Sequence, residues 1–147
     1  MSVVWTQCSI YQDVPGDAVR AGHDQDGSPI FVGRALLNEN TLTLPAKIIP
    51  GKQAAYVCHS GTELAVRHFE ILRGAGFTWV QGSYGNVPSG AVPGGNSSSG
   101  ELLYIGRAHH EGSLTLGKIH RSHGCLYIPF DGAELSFQEY EVLVRQQ

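Results

Sequence analysis

The sequence predicts an all-β protein, a single pseudo-symmetric domain over 1–147 built from two intertwined tandem β repeats. Three observations predict it. First, Val14 to Ala35 aligns without a gap on Val87 to Ala108, and Lys47 to Leu72 aligns without a gap on Lys118 to Leu143. Second, the chain holds 19 glycines and one methionine, with short β-branched and aromatic runs between clusters of Gly, Pro, Asn, Asp and Ser. Third, no segment sustains a helical period. A period of about 70 residues is too long for short solenoid repeats and marks a duplication. Each copy, 3–73 and 77–145, is near the lower size limit for folding alone, so one shared core is expected.

The elements follow in order. Trp5-x-Gln7 and Trp79-x-Gln81 head the copies. In copy one, Ala18 to Ala21 and Ile30 to Ala35 read as strands around the polar turn His23 to Gly27; in copy two that turn is Asn96 to Gly100. Leu44-Pro45-Ala46 reads as a further turn, with Lys47 just after it. Tyr56-Val57 and Tyr127-Ile128 lead into Ser60-Gly61 and Asp131-Gly132, hairpin turns in which Gly tolerates positive φ. The returning strands are Glu63 to Leu72 and Glu134 to Val144. Their apolar alternation slips by one residue in both copies, which predicts a shared bulge or bend. The connector Arg73-Gly74-Ala75-Gly76 is too short to be a flexible spacer.

Charge and composition exclude several classes. A formal net charge of -3, with no Lys/Arg cluster longer than a pair, leaves no footprint for phosphate backbones or anionic membranes. Nothing approaches the roughly 18 apolar residues of a membrane span, and the first residues lack the pattern of a signal peptide. The three cysteines, Cys8, Cys58 and Cys125, are odd in number and irregularly spaced, which fits a reducing compartment rather than a disulfide framework. The expectation is a cytoplasmic protein, or one released without a signal peptide, with no nucleic-acid partner and no direct membrane insertion.

Four constellations could carry chemistry. Asp24-x-Asp26-Gly27 invites a calcium loop, but the positions that should supply further ligands are Gly22 and Gly33, so a polar turn is the plainer reading. His120-x-x-His123-x-Cys125 offers zinc-type ligands at one short spacing without a second pair, and copy one has Ile49, Lys52 and Ala54 there. Cys125 with His123 is a candidate nucleophile and base, but no orienting group or oxyanion site is legible. Neither metal nor cofactor is therefore expected, nor is enzymatic activity. Asp24 and Lys47 form the fourth pair. A carboxylate accepts and an ammonium donates, so together they suit vicinal hydroxyls of a sugar; a surface ion pair, or no contact, is the alternative the residues alone favour.

Taken together, Ala21-Gly22-His23-Asp24-x-Asp26-Gly27, Phe31-Val32-Gly33-Arg34-Ala35, Pro45-Ala46-Lys47, Tyr104 to Gly112, Gly117-Lys118, Ser122-His123-Gly124-Cys125-x-Tyr127-Ile128-Pro129 and Tyr140 to Leu143 closely resemble the DM-nine tandem-repeat family, whose members include natterin-like proteins and small mannose-binding lectins. The resemblance runs from Trp5 to Val144. It implies two intertwined repeats, homodimerisation, and recognition of mannose-containing glycans in innate immunity, by pattern recognition or agglutination. It implies that Asp24 and Lys47 hold the sugar. A protein-interaction or membrane-lesion-associated module without enzymatic activity is the alternative it implies. Ala46 replaces the family's usual Gly before the lysine. Copy two keeps Lys118 but has Ser97 in place of Asp24, which makes Ser97 and Lys118 a weaker second site.

Overall fold

The computed structural model describes residues 3–37 and 41–146. Fourteen strands run in chain order: β1 (Val4–Ser9), β2 (Arg20–His23), β3 (Pro29–Leu37), β4 (Leu42–Ile49), β5 (Ala54–His59), β6 (Thr62–Ala65), β7 (His68–Arg73), then β8 (Phe77–Ser83), β9 (Pro93–Asn96), β10 (Leu102–His110), β11 (Ser113–His120), β12 (Cys125–Phe130), β13 (Ala133–Phe137) and β14 (Glu139–Arg145). Two single-turn 3-10 helices, Pro50–Lys52 and Arg121–His123, follow β4 and β11. Each of β1 to β7 recurs as β8 to β14, and the fold is all-β.

The repeats interlock. Strands β2, β3, β4, β5, β6, β13, β12 and β11 hydrogen-bond in a closed ring of eight. Two wings flank it, β1–β7 on β3 and β8–β14 on β10. The copies meet where β2 pairs β11, where β9 pairs β4, and where β6 pairs β13. The first two junctions bring backbones so close that a Cβ on Gly22 would run into the Leu114 carbonyl, and one on Gly95 into the Thr43 carbonyl. The duplicated glycine is thus an approach requirement at mirrored seams.

Apolar burial follows the same symmetry. One cluster around Leu44, Ile48, Phe69 and Ile71 fills repeat one, and another around Ile119, Leu126, Ile128 and Val142 fills repeat two. Between them Ile30, Val32, Leu72, Ile105, Leu116 and Leu143 come from both copies. The Trp-x-Gln signature gains its reason on the wings: the Arg34 guanidinium lies 4.3 Å from the Trp5 ring and 2.8 Å from Glu70, and Arg107 lies 4.2 Å from Trp79 and 2.8 Å from Glu141.

One expectation is corrected, and another is met in one of its two forms. Leu44-Pro45-Ala46 is no turn; it lies inside β4, with Pro45 opposite Arg34. On its other edge β4 pairs β9 at Thr43 and β5 from Lys47 onward, so Pro45 occupies the changeover, where its missing N–H breaks no ladder. Ala46 is fully buried in extended backbone and needs no left-handed conformation. The phase slip within Glu63 to Leu72 and Glu134 to Val144 is a bend, at Arg67 and at Gln138, one of the two forms expected. The chain leaves β6 for β7 at Val66–Arg67, and β13 for β14 at Gln138, passing from the ring into a wing and turning its other face inward.

The centre is held by a reciprocal staple. Lys47 Nζ donates to the Pro129 carbonyl at 2.6 Å and pairs with Glu63 at 3.1 Å, while Lys118 Nζ donates to the Cys58 carbonyl at 2.9 Å and pairs with Glu134 at 2.9 Å. The second oxygens of those glutamates accept from Gly132 N–H at 3.0 Å and Gly61 N–H at 2.9 Å, in the opposite repeat's hairpin turn. Both lysines are buried. We expect Lys118→Ala to cost about 3–5 kcal/mol by leaving the Glu134 charge uncompensated, whereas Lys118→Met with Glu134→Leu restores much of that loss. Denaturant titration checks both. Burial raises the Glu134 carboxyl, but the Gly61 N–H and Lys118 outweigh it and hold it below its ordinary 4.5. Its contribution is therefore full above 4.5 and is lost as pH falls through the lower folded value. The midpoint should drop in that acid range, and less so in Glu134→Gln, as thermal melts across pH will read.

Candidate functional site

The structure brings Asp24 and Lys47 to the same cleft. The turn after β2 closes with Asp24 N–H donating to Ser28 O at 2.8 Å and Gly27 N–H to Asp24 O at 2.9 Å, placing the Asp24 carboxylate at the cleft's rim. Lys47 enters from β4. The cleft encloses about 290 Å³, and its other walls are Lys52, Tyr56, Glu63, Glu111 and Phe130. Gln25 Nε2 donates to the Glu111 carbonyl at 2.9 Å, so the rim itself joins the two repeats.

The two residues do not pair with each other. Asp24 Oδ2 accepts from Lys52 at 2.6 Å and Oδ1 from Gln25 N–H at 2.9 Å. Lys52 also reaches Asp26 at 3.5 Å. Burial raises the Asp24 carboxyl, but the Lys52 hydrogen bond, the Gln25 N–H and the fields of Lys52 and Lys47 carry it below 3.8. Asp24 is thus a fixed carboxylate with lone pairs to spare. Among the described residues Lys47 Nζ has two partners, Pro129 and Glu63, for its three N–H groups. Tyr56 and Phe130 flank it, ring centroids 5.5 and 5.6 Å from Nζ. The arrangement sets a strong acceptor, an ammonium and two aromatic rings around one cleft.

Repeat two has diverged at the equivalent place. Ser97 Oγ shares a hydrogen bond with Ser99 Oγ at 2.9 Å and accepts from Glu101 N–H at 3.2 Å, so it is occupied within its own turn. Lys118 has Tyr127 5.6 Å away, matching Tyr56. Where repeat one has Ile49 and Lys52, His120 and His123 stack with centroids 3.6 Å apart. His123 Nδ1 meets the Tyr127 hydroxyl at 2.9 Å, and burial, then the Cys125 thiol, push that phenol up to about 12. Burial first and His123 next lower the His120 imidazole below 6.5.

The other constellations resolve differently from the candidates of the sequence. Asp24 and Asp26 both turn to Lys52. His120 pairs with Glu101 at 3.2 Å, and among the described residues no three His, Cys, Asp or Glu side chains gather as a metal site. His123 engages Tyr127, while Cys125 is a buried free thiol. Lys52, Glu63 and Glu111 were missed from sequence. Glu63 did carry a signal: the lysine of K-I and the glutamate of G-x-E-L recur at one spacing in both copies, and a charge pair kept twice in apolar surroundings points to a buried partner. Lys52→Met should raise the Asp24 carboxyl toward 3.8, as carboxyl carbon NMR through acid titration will show; an unmoved titration would disprove Lys52 as its main fixative.

Comparisons with known proteins agree with this repeat structure. Natterin-3 of Thalassophryne nattereri is 37% identical over 65 residues, covering 44% of this chain and 15% of that protein. Natterin-1 of the same fish is 33% identical over 76 residues, covering 52% and 18%. The chain therefore spans less than a fifth of either relative. The nematode sperm cell motility protein MFP2B superposes with a TM-score of 0.71 at 13% identity, over 99% of this chain and 47% of the other, and so shares the fold. The DM9 repeat profile matches residues 24–137, from the cleft's aspartate to the end of β13, and the chain belongs to the DM9 repeat family.

Proposed function

We propose that this protein is a lectin for mannose-type glycans, acting without catalysis or metal in pattern recognition or agglutination. One observation carries the reading: Asp24 and Lys47, far apart in sequence, line one cleft as a pre-fixed acceptor and an ammonium between two aromatic rings. A hexose ring fits the cleft's 290 Å³, its vicinal hydroxyls spanning carboxylate and ammonium. The reading includes a homodimer, cytoplasmic or released without a signal peptide, in which two clefts give avidity for branched glycans. A second reading, a protein-interaction or membrane-lesion-associated module, is favoured by the natterin likeness and by the small share of those chains this one spans.

Calorimetry with mannose tests the first reading. Asp24→Asn keeps the shape and removes the charge, so affinity should fall by about 1.5–3 kcal/mol, tenfold or more. Lys47→Met should weaken binding as well, but it also cuts the central staple, so its melting curve must accompany it. Equal affinity in Asp24→Asn and the parent would overturn the assignment. Excess EDTA should leave binding intact; loss restored by calcium would make the turn at Asp24 a cation loop. About one strong monosaccharide site per chain is expected, because Ser97 is engaged within its own turn and supplies no carboxylate.

A further inference from the structure

The turn after β8 is strained, and its largest side chain does no work in the fold. Asn86 N–H donates to Ser83 O at 2.9 Å, and the two central residues, Tyr84 and Gly85, have φ of +53° and +84°. Positive φ at both centres is the demand of a type I′ turn, met with ease by Asn, Asp or Gly at the first of them and poorly by tyrosine. The Tyr84 ring recovers nothing by burial, since the residue is 62% exposed. Gly85 is pressed onto the Arg121–His123 helix: a Cβ there would stand 2.7 Å from the Arg121 carbonyl oxygen and 2.8 Å from Gly124 Cα. The turn is thereby locked, with Tyr84 held outward.

Tyr84 walls an open groove of about 510 Å³, shared with Asn86, Glu101, Leu102, Tyr104 and Arg121. Among the described residues, the Arg121 guanidinium, the Asn86 side-chain amide and the hydroxyls of Tyr84 and Tyr104 have no hydrogen-bond or ion-pair partner. Glu101, in contrast, is fixed, accepting from Ser122 Oγ at 2.6 Å, Ser122 N–H at 2.9 Å and His120 at 3.2 Å. Repeat one carries an exposed Tyr11 and Asp13 in the turn that matches Tyr84 and Asn86, but Ser28, Pro29, Phe31 and Pro50 at the places of Glu101, Leu102, Tyr104 and Arg121, so an outward tyrosine is common to both turns while the guanidinium and the fixed carboxylate beside it belong to repeat two.

We propose that this groove is a second saccharide site, separate from the cleft at Asp24, that takes two or more rings of a neutral oligosaccharide. The proposal rests on the lectin reading. The exposed Tyr84 ring suits the C–H face of a pyranose, with the half-buried Tyr104 lining the groove beside it, and a planar guanidinium, an amide and a fixed carboxylate suit pairs of hydroxyls. Arg121 and Glu101 balance in charge, which favours a neutral ligand over an anionic one. The groove is open along its length, so it holds part of a chain better than one enclosed monosaccharide.

The test titrates methyl mannoside and a linear mannopentaose into the parent, Tyr84→Asn, Arg121→Ala and Asp24→Asn. Tyr84→Asn removes the ring while suiting the positive φ, so its melting temperature should not fall. The pentaose should bind Tyr84→Asn and Arg121→Ala at least fivefold more weakly, with methyl mannoside binding unchanged. Pentaose affinity equal to the parent's in both variants overturns the groove and leaves the cleft standing. Pentaose binding that depends on Tyr84 but not on Asp24, with no monosaccharide binding, upholds the groove and overturns the cleft. A parent protein that binds neither sugar overturns both.

Discussion

Two lysines decide how the halves of this molecule meet. Lys47 and Lys118 each bring an ammonium into a nearly dry centre, where a lone charge is intolerable, and each finds a glutamate of its own copy and a carbonyl of the other. The glutamates reach on to the turn glycines of the opposite hairpin. Every group in the arrangement needs a partner from across the seam, so the register of β6 against β13 has one satisfactory setting. The ring of eight strands, the shared apolar cluster and the position of the cleft follow from that setting.

The same lysine that fixes the centre also borders the cleft, which gives the site its character. Its side chain is held by structural bonds to Pro129 and Glu63, so the fold fixes where its ammonium stands. Asp24 reaches the same condition by a different route, through Lys52 and a backbone N–H. A ligand meeting this pair finds groups that have already lost their conformational freedom, and ordering them costs little at the moment of binding.

Much of this was readable beforehand, for identifiable reasons. The duplication, the Ser60-Gly61 and Asp131-Gly132 turns and the strand-rich character depend on local chemistry, and the structure has both turns at positive φ. Asp24 and Lys47 were singled out from sequence, and they line one cleft. What failed was context. Pro45 reads as a turn because the chain does not announce that its strand changes partners there. The slip within Glu63 to Leu72 reads as a bulge or a bend, and only the structure decides for the bend, because a strand crossing from ring to wing leaves the same one-residue signature as a bulge. Lys52 gave no signal at all, since its role depends on where a 3-10 turn after β4 points relative to the turn after β2.

The mirrored seams bear on ancestry. Everything that joins the copies here, β2 to β11, β9 to β4, and the lysines to the opposite turns, would join two separate chains of one repeat each in the same way. Such a pair would carry identical sites and would fall apart on dilution. Fusion through Gly74-Ala75-Gly76 replaces that second-order encounter with a fixed local concentration, and it ends the obligation of symmetry. Once tethered, one half is at liberty to carry a carboxylate and the other a pair of imidazoles at matching places. The two unlike faces of this protein are the freedom that covalent linkage confers.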